Sequence, residues 1–369
     1  MPVTLDDLRR FAVARSLFPP TSLKRALHRM AFVQADPIRA PARAQDLILR
    51  HRVKNYHAGD LERRYATLGV EEDFFINYGF VSRSLQALMH PRSDICVPAG
   101  GGQPLPPGPN KHELQLLEFV RERGVVHPRE VDEHFSHGTV DNYWGGSSNA
   151  TTRRLDAMHY QGLLRVVKRK SGIRIYAPHA HGSAPTDAAE CRARIDALAD
   201  AVINIYAPLP LRSLNVVLRR LRFAAPQWEG ELDGAVQRAK ERMANAQIDG
   251  VHWYWPAKEK PARSKPEEKV RLLAPFDPVV WDRDRFEKLW GWTYRFEAYT
   301  PPPKRVRGYY ALPLLWRDQI IGWGNLTVKN GKLEADIGYV KGSPPRERSF
   351  RRELEAELDR VRFFLELES

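Results

Sequence analysis

Two polar residues, Gln34 and Asp36, interrupt the apolar run of AFVQADPI, and Pro37 follows at once. If this stretch is extended, alternate side chains point the same way, so the amide and the carboxylate share one face. Pro37 favours an extended backbone because its ring disfavours helical angles at the preceding residue. A carboxylate and an amide that converge on one point are suited to acid–base or electrostatic chemistry on a bound molecule.

The alternative for Asp36 is purely structural. Aspartate is a preferred N-cap of helices, and proline is common at the first helical position. Asp36 and Pro37 could therefore begin the helix predicted in ARAQDLILRHRV. The residue types alone leave both interpretations open.

Other catalytic or metal-binding patterns are weak. His134 and His137, and likewise His179 and His181, have spacings that a metal could use. Neither pair is accompanied by an HExxH motif or by a nearby cysteine, so the ligand count is too low for zinc. We expect no metal and no cofactor.

Composition favours a nucleic-acid partner. The 369 residues carry a net charge of +13, with a pI near 9.7, and 43% of them are hydrophobic. A strongly basic chain with enough apolar residues for a core is typical of proteins that bind polyanions. Two cysteines far apart, Cys96 and Cys191, indicate neither a disulfide framework nor a zinc ribbon. We expect a soluble, cytoplasmic, nucleoid-associated protein without a membrane span.

The order of predicted elements indicates an α+β chain of about three winged-helix units, followed by a β-rich part and a closing helix. The clearest unit has three amphipathic helices and then LLRVVKRK-SG-IRIYAP, two strand-like runs around a turn. The predicted segments are an N-terminal unit at 1–97, a Gly/Pro linker at 98–110, and further units at 111–182, 187–256 and 270–369.

Three of the local predictions are specific enough to test. Residues 60–90 have an aromatic helical pattern, ELDGAVQRAKERMANAQ at 231–247 is predicted as one helix, and FEAYTPP at 296–302 as a strand.

The aspartates of PFDPVVWDRDR, Asp277 and Asp282, are interpreted as turn residues or ion-pair partners of Arg283 and Arg285. The tryptophans of this region are interpreted as core residues.

Basic residues cluster in the predicted hairpin and in the helix before it. As a wing and a recognition helix, these elements would contact phosphates or reach into the minor groove. A solvated hairpin is the alternative. The candidate DNA-binding residues are Arg153, Arg154, Arg165, Lys168, Arg169, Lys170 and Arg174.

The segments FVQADPIRAPARAQDLILRHRV, LLAPFDPVVWDRDRFEKLWGW and YYALPLLW resemble the bacterial AlkZ/YcaQ DNA glycosylases. The resemblance extends from about residue 5 to about residue 340, and QAD resembles the Gln-x-Asp form of the family's catalytic motif. It implies tandem winged helices, with Gln34 and Asp36 as the catalytic pair. It also implies excision of cationic alkylated bases, such as an N7-alkylguanine, including one held in an interstrand crosslink.

In that reaction Asp36 would stabilise an oxocarbenium-like sugar and accept a proton from water, while Gln34 would orient the water. The expected enzyme is a monomeric, monofunctional glycosylase acting on duplex DNA. Two other functions stay open: a winged-helix DNA-binding regulator without catalysis, and a module that binds acidic protein partners.

Overall fold

The computed structural model describes residues 2–92, 109–135, 139–141, 147–182, 185, 187–261 and 265–368. Most of the predicted linker at 98–110 therefore lies outside the described residues. The helices are α1 Leu5–Ser16, α2 Leu23–Met30, α3 Ala44–Leu49, α4 Asp60–Arg64, α5 Arg83–Met89, α6 Lys111–Arg123, α7 Pro128–Phe135, α8 Ala150–Gln161, α9 Ala188–Tyr206, α10 Leu211–Arg219, α11 Leu232–Arg242, α12 Arg283–Trp290 and α13 Arg348–Phe364.

The strands complete a mixed helix-and-sheet fold. They are β1 Phe32–Gln34, β2 Val70–Phe74, β3 Tyr78–Ser82, β4 Thr139–Asp141, β5 Ser147–Asn149, β6 Leu164–Lys170, β7 Ile173–Pro178, β8 Leu209–Pro210, β9 Met243–Ile248, β10 Val251–Pro256, β11 Val270–Leu272, β12 Leu312–Trp316, β13 Gln319–Lys329 and β14 Lys332–Tyr339. Contacts divide the chain into two compact units. Unit 1 comprises 1–61, 201–217 and 239–369, and unit 2 comprises 62–200 and 218–238.

Unit 1 begins with two capped helices and ends with a sheet and a closing helix. Thr4 and Asp7 form a capping box on α1, and the Ser22 hydroxyl caps α2. Its larger sheet has the antiparallel order β11-β12-β13-β14, and its smaller sheet has the order β8-β10-β9. The predicted closing helix is confirmed as α13. Asn330 and Gly331, both at positive φ, form the turn between β13 and β14.

Unit 2 contains the predicted order of three helices and a hairpin, α6, α7, α8 and β6–β7. Ser171 and Gly172 both have positive φ, as a two-residue turn between twisted strands requires. A core of buried apolar residues joins these elements: Leu116, Leu117, Phe119, Val120, Val126, Val131, Leu155, Met158, Leu164, Val166 and Tyr176. The interpretation of the chain as tandem winged helices stays a prediction.

Three local predictions were wrong in whole or in part. The range 60–90 was expected to be helical, and 60–64 and 83–89 are, but residues 70–82 form the antiparallel hairpin β2–β3. The helix expected at 231–247 ends at Arg242, and its last residues form β9, which pairs with β10. Asp249 and Gly250, both at positive φ, make the turn between those strands, so an Asp-Gly hairpin signal was overlooked. Residues 296–302 contain no strand.

Candidate active site

Gln34 and Asp36 lie in unit 1, at and just after the end of β1. Phe32 and Val33 are buried, and Gln34, Ala35 and Asp36 are half-buried. Strand geometry up to Gln34 supports the expected extended backbone.

The Gln34 side chain is oriented by a tryptophan from a distant part of the chain. The indole Nε1–H of Trp281 donates to Gln34 Oε1 at 2.7 Å. An indole N–H can only donate, so the end of the Gln34 amide that faces Trp281 must be its oxygen. The NH₂ is then the donor end of the side chain. Trp281 also lies against Tyr206, with ring centroids 5.0 Å apart. Trp281 was expected to be a core residue, and its contact with the motif was missed.

Trp281 owes its position to a turn built on Asp277. The backbone N–H of Trp281 donates to the Asp277 carbonyl at 2.8 Å, and the Val279 N–H donates to the Asp277 carboxylate at 3.0 Å. Arg52 clamps the same carboxylate with two hydrogen bonds of 2.7 and 2.9 Å, and both side chains are fully buried. This ion pair fixes the turn that presents Trp281 to Gln34.

The interpretation of Asp277 as a turn residue is confirmed. The alternative, an ion pair with Arg283 or Arg285, is wrong, because the partner of Asp277 is Arg52. Asp282 is instead the N-cap of α12, where its carboxylate accepts the Arg285 N–H at 3.0 Å. The partner of Asp277 is 225 positions away in the chain, so no local pattern indicated it.

Asp36 is not a helix cap. The next helix, α3, begins at Ala44 with Arg43 as its N-cap, so the capping alternative is wrong. Asp36 Oδ1 accepts the backbone N–H of Ile38 at 2.9 Å, which makes a local Asx turn. Oδ2 accepts no hydrogen bond from the described residues, which leaves one carboxylate oxygen available to a bound molecule.

Burial raises the pKa of Asp36 above its ordinary value near 3.8, and the Ile38 hydrogen bond opposes that rise. Two tyrosines lie within the field of this carboxylate. Burial and the charge of Asp36 raise the pKa of both Tyr310 and Tyr299. The Tyr310 hydroxyl is buried without a hydrogen-bond partner among the described residues, whereas 68% of Tyr299 is exposed.

A buried carboxylate organises the loop that carries these tyrosines. Glu297 Oε2 accepts three successive backbone N–H groups, from Val306 at 3.0 Å, Arg307 at 2.8 Å and Gly308 at 3.2 Å. Such convergent N–H groups hold an anion firmly. The Glu297 side chain therefore fixes the loop at 299–310. This loop carries the two tyrosines beside the candidate site.

The predicted DNA-binding residues fall into three groups. Arg165 pairs with Glu71, Arg169 with Glu72 and Arg174 with Asp156, at 2.5 to 2.6 Å. Lys168 and Lys170 are exposed on β6, and Arg153 and Arg154 are half-buried on α8. The assignment to DNA binding stays a prediction for all seven residues.

Metal ligands do not converge in the part of the chain that the structure describes: it holds no group of three His, Cys, Asp or Glu side chains placed to bind an ion. His137 lies outside the described residues. Among the described helices, none combines the length and the apolar character that crossing a bilayer requires.

Comparison with known proteins identifies a family and a protein of similar fold. The family model described as DNA glycosylase AlkZ-like matches residues 27–364. The DNA glycosylase AlkZ of Streptomyces sahachiroi has a similar fold, with a TM-score of 0.61 and 14% sequence identity, over 99% of this chain and 97% of that one. At this identity the structural match establishes the fold alone, and the family model adds the kind of enzyme.

Proposed function

Because the chain belongs to the AlkZ-like family of DNA glycosylases, we propose that it excises cationic alkylated purines from duplex DNA. The substrate class is an N7-alkylguanine, including one held in an interstrand crosslink. The observation that carries the proposal is the Asp36 carboxylate, half-buried, with a raised pKa and one oxygen that no described residue binds.

The reaction is hydrolysis of the bond between sugar C1′ and purine N9. As that bond breaks, its electron pair moves onto the purine and neutralises the positive charge of the alkylated imidazole ring. The sugar passes through an oxocarbenium-like state, which a carboxylate stabilises. Water adds to C1′ and gives its proton to Asp36. The products are the free alkylated base and an abasic site, and the leaving group needs no protonation.

Gln34 orients the water in this mechanism. Its Oε1 is held by the Trp281 indole at 2.7 Å, so the direction of the amide is fixed before the substrate binds. Its NH₂ end is the part that can hold a water oxygen for attack. Preorganisation of this kind lowers the barrier because the groups need not reorganise during the reaction.

The aromatic groups near Asp36 suit a cationic base. The face of an aromatic ring attracts a cation, and the exposed Tyr299 offers such a face. A crosslinked purine remains tethered to the opposite strand and is therefore bulky. A largely exposed neighbour such as Tyr299 leaves room for such a lesion. Tyr310 is buried and serves to shape the site.

The substrate is duplex DNA, which the monomeric protein binds through its basic residues. Lys168 and Lys170 are the exposed candidates in the β6–β7 hairpin, and phosphate contacts by such groups are weakened by salt. No cofactor is required, because the alkylated base supplies its own activation. A lyase step is not part of this mechanism, so the enzyme is monofunctional.

Product analysis tests the proposal. Purified protein is incubated with a duplex carrying one N7-methylguanine, and with a duplex carrying a nitrogen-mustard crosslink. We expect release of the free base and strand breaks that form only after alkali treatment. Binding without either product would identify a non-catalytic DNA-binding regulator instead, and unmodified duplex is the control.

A further inference from the structure

A pocket of about 460 Å³ in unit 2 is lined by histidines and arginines. The rings of His90 and His181 stack with centroids 4.1 Å apart, and the ring of His179 lies 4.0 Å from that of His181. Arg83 and Arg165 also line the pocket. Gln34 and Asp36 are not among the lining residues, so the proposed glycosylase reaction does not explain this cluster.

The arginines of the pocket carry an excess of positive charge. A single buried carboxylate, Glu71, pairs with both Arg83 at 2.9 Å and Arg165 at 2.6 Å. A third lining arginine, Arg194, is matched by Glu190 at 2.7 Å. The Arg83 side chain is 55% exposed, and its terminal nitrogens make no hydrogen bond to any described residue. This guanidinium end is therefore placed to bind an anion.

His181 contributes the opposite kind of group, an acceptor nitrogen. Its Nε2 lies 2.8 Å from the Gly162 carbonyl, which places the ring proton on Nε2 and leaves Nδ1 without a hydrogen bond to any described residue. His90 also carries its proton on Nε2, 2.7 Å from the Asp73 carboxylate, but its Nδ1 is buried against Gly162 and is closed to a ligand. A bare ring nitrogen accepts a hydrogen bond and cannot donate one.

Burial, helped by neighbouring positive groups, keeps these rings neutral. Burial and Arg92 lower the pKa of His90 to about 4, against the opposing charge of Asp73. Burial, the neighbouring imidazoles and Arg165 lower the pKa of His179 to about 3. The charge of Asp73 is itself matched by Arg92 at 2.8 Å. The pocket thus offers one excess positive charge beside the acceptor Nδ1 of His181.

We propose that this pocket binds a phosphate group that still carries a proton, either inorganic phosphate or a terminal phosphomonoester. A phosphomonoester has a second pKa near 6 and is partly protonated near that pH, and inorganic phosphate keeps at least one O–H throughout the neutral range. Either group therefore supplies a negative charge for Arg83 and an O–H donor for the imidazole nitrogen of His181. A phosphodiester of the DNA backbone has the charge but no such proton, and sulfate lacks it as well. Binding involves hydrogen bonds only, and no covalent bond changes.

Calorimetric titration of the full chain at pH 6.5, without DNA, tests the proposal. We expect inorganic phosphate to bind, and to bind at least about tenfold more tightly than sulfate, which has no O–H to donate. Arg83→Gln should weaken phosphate binding about tenfold through loss of a charge-assisted contact. The matched control is Arg121→Gln, an exposed arginine outside the pocket that faces Glu118 at 4.0 Å.

Competition with oligonucleotides distinguishes the two sources of phosphate. If a duplex with 5′-phosphates displaces phosphate and the same duplex with 5′-hydroxyls does not, the ligand is a strand end. If neither displaces it, the ligand is free phosphate. Displacement by both would overturn the proposal, because phosphodiesters would then suffice. Equal binding of sulfate, equal effects of Arg83→Gln and Arg121→Gln, or no phosphate binding at all would also overturn it.

Discussion

The indole N–H of Trp281 donates to the side-chain oxygen of Gln34 across 2.7 Å, although the two residues are 247 positions apart in the chain. This contact joins the Gln-x-Asp motif to the turn built on Asp277. Within unit 1 the motif is therefore held from two sides, by its own strand β1 and by the Arg52–Asp277 turn.

Trp281→Phe should slow base excision while leaving the fold intact. Phenylalanine keeps much of the apolar contact but lacks the donor that holds Gln34. One net hydrogen bond is worth about 0.5–1.5 kcal/mol, or roughly a two- to tenfold loss of single-turnover rate. Trp290→Phe is the matched control, because it also loses an indole hydrogen bond, to the Asp318 carbonyl at 2.8 Å. Equal rates for the two variants would show that the Trp281 hydrogen bond does not contribute to base excision.

Breaking the Arg52–Asp277 pair should destabilise unit 1 strongly. Both side chains are fully buried, so Arg52→Leu leaves an uncompensated carboxylate, at a cost of about 3–5 kcal/mol in the free energy of unfolding. The double variant Arg52→Leu/Asp277→Leu should recover part of that loss. Denaturant unfolding measures both. For comparison, Arg317→Gln breaks a partly exposed pair with Glu347, which should cost less than about 1 kcal/mol.

The raised pKa of Asp36 predicts the pH dependence of the reaction. The ionised carboxylate is the active form, so kcat/KM should fall with decreasing pH through a pKa above the ordinary value near 3.8. An acid limb at or below the ordinary value would contradict burial of this carboxylate. The pH–rate profile of kcat/KM on a duplex with N7-methylguanine measures it.

The raised pKa of Asp36 also predicts that the ionised carboxylate, which supports activity, lowers the stability of the fold. A carboxyl group whose pKa is raised by folding contributes stability below its unfolded pKa, and that contribution is lost as the pH rises through the folded pKa. At neutral pH the charge of Asp36 therefore costs stability. Asp36→Asn keeps the acceptor for the Ile38 N–H and should unfold at a higher temperature than the wild type at pH 7. A lower unfolding temperature would indicate a structural role.

Lys168 and Lys170 should account for part of the salt dependence of DNA binding. Each phosphate contact adds about 0.9 to the slope of log K against log salt concentration. Replacing both lysines with glutamine should therefore lower the magnitude of the slope by about 1.8. Lys332→Gln, at the tip of the β13–β14 hairpin, is the control and should not change it. An unchanged slope in the double variant would show that the β6–β7 hairpin lies off the DNA.

Local patterns identified several elements whose structure is decided by local chemistry. Turn residues such as Ser171-Gly172 fixed the hairpins, and the Gln-x-Asp spacing identified the candidate site. The hairpin β2–β3 was missed because its strand β2 buries Glu71, Glu72 and Asp73. Those acids are matched by arginines far along the chain, as with Arg169 and Glu72 at 2.5 Å. Charge compensation between residues far apart in the chain leaves no local sequence signal. The contact between Trp281 and Gln34 was missed for the same reason.

We claim that the Asp36 carboxylate takes part in the chemistry through its negative charge. Asp36→Asn keeps the size and the Asx turn but removes the charge, and in comparable sites such a loss costs about 10²- to 10³-fold in rate. Asp282→Asn is the control, because Asp282 is a helix cap and asparagine caps as well as aspartate. We predict that Asp36→Asn releases N7-methylguanine from duplex DNA about 10²- to 10³-fold more slowly in single turnover, with duplex binding retained. A rate equal to that of the wild type and of Asp282→Asn would contradict the claim.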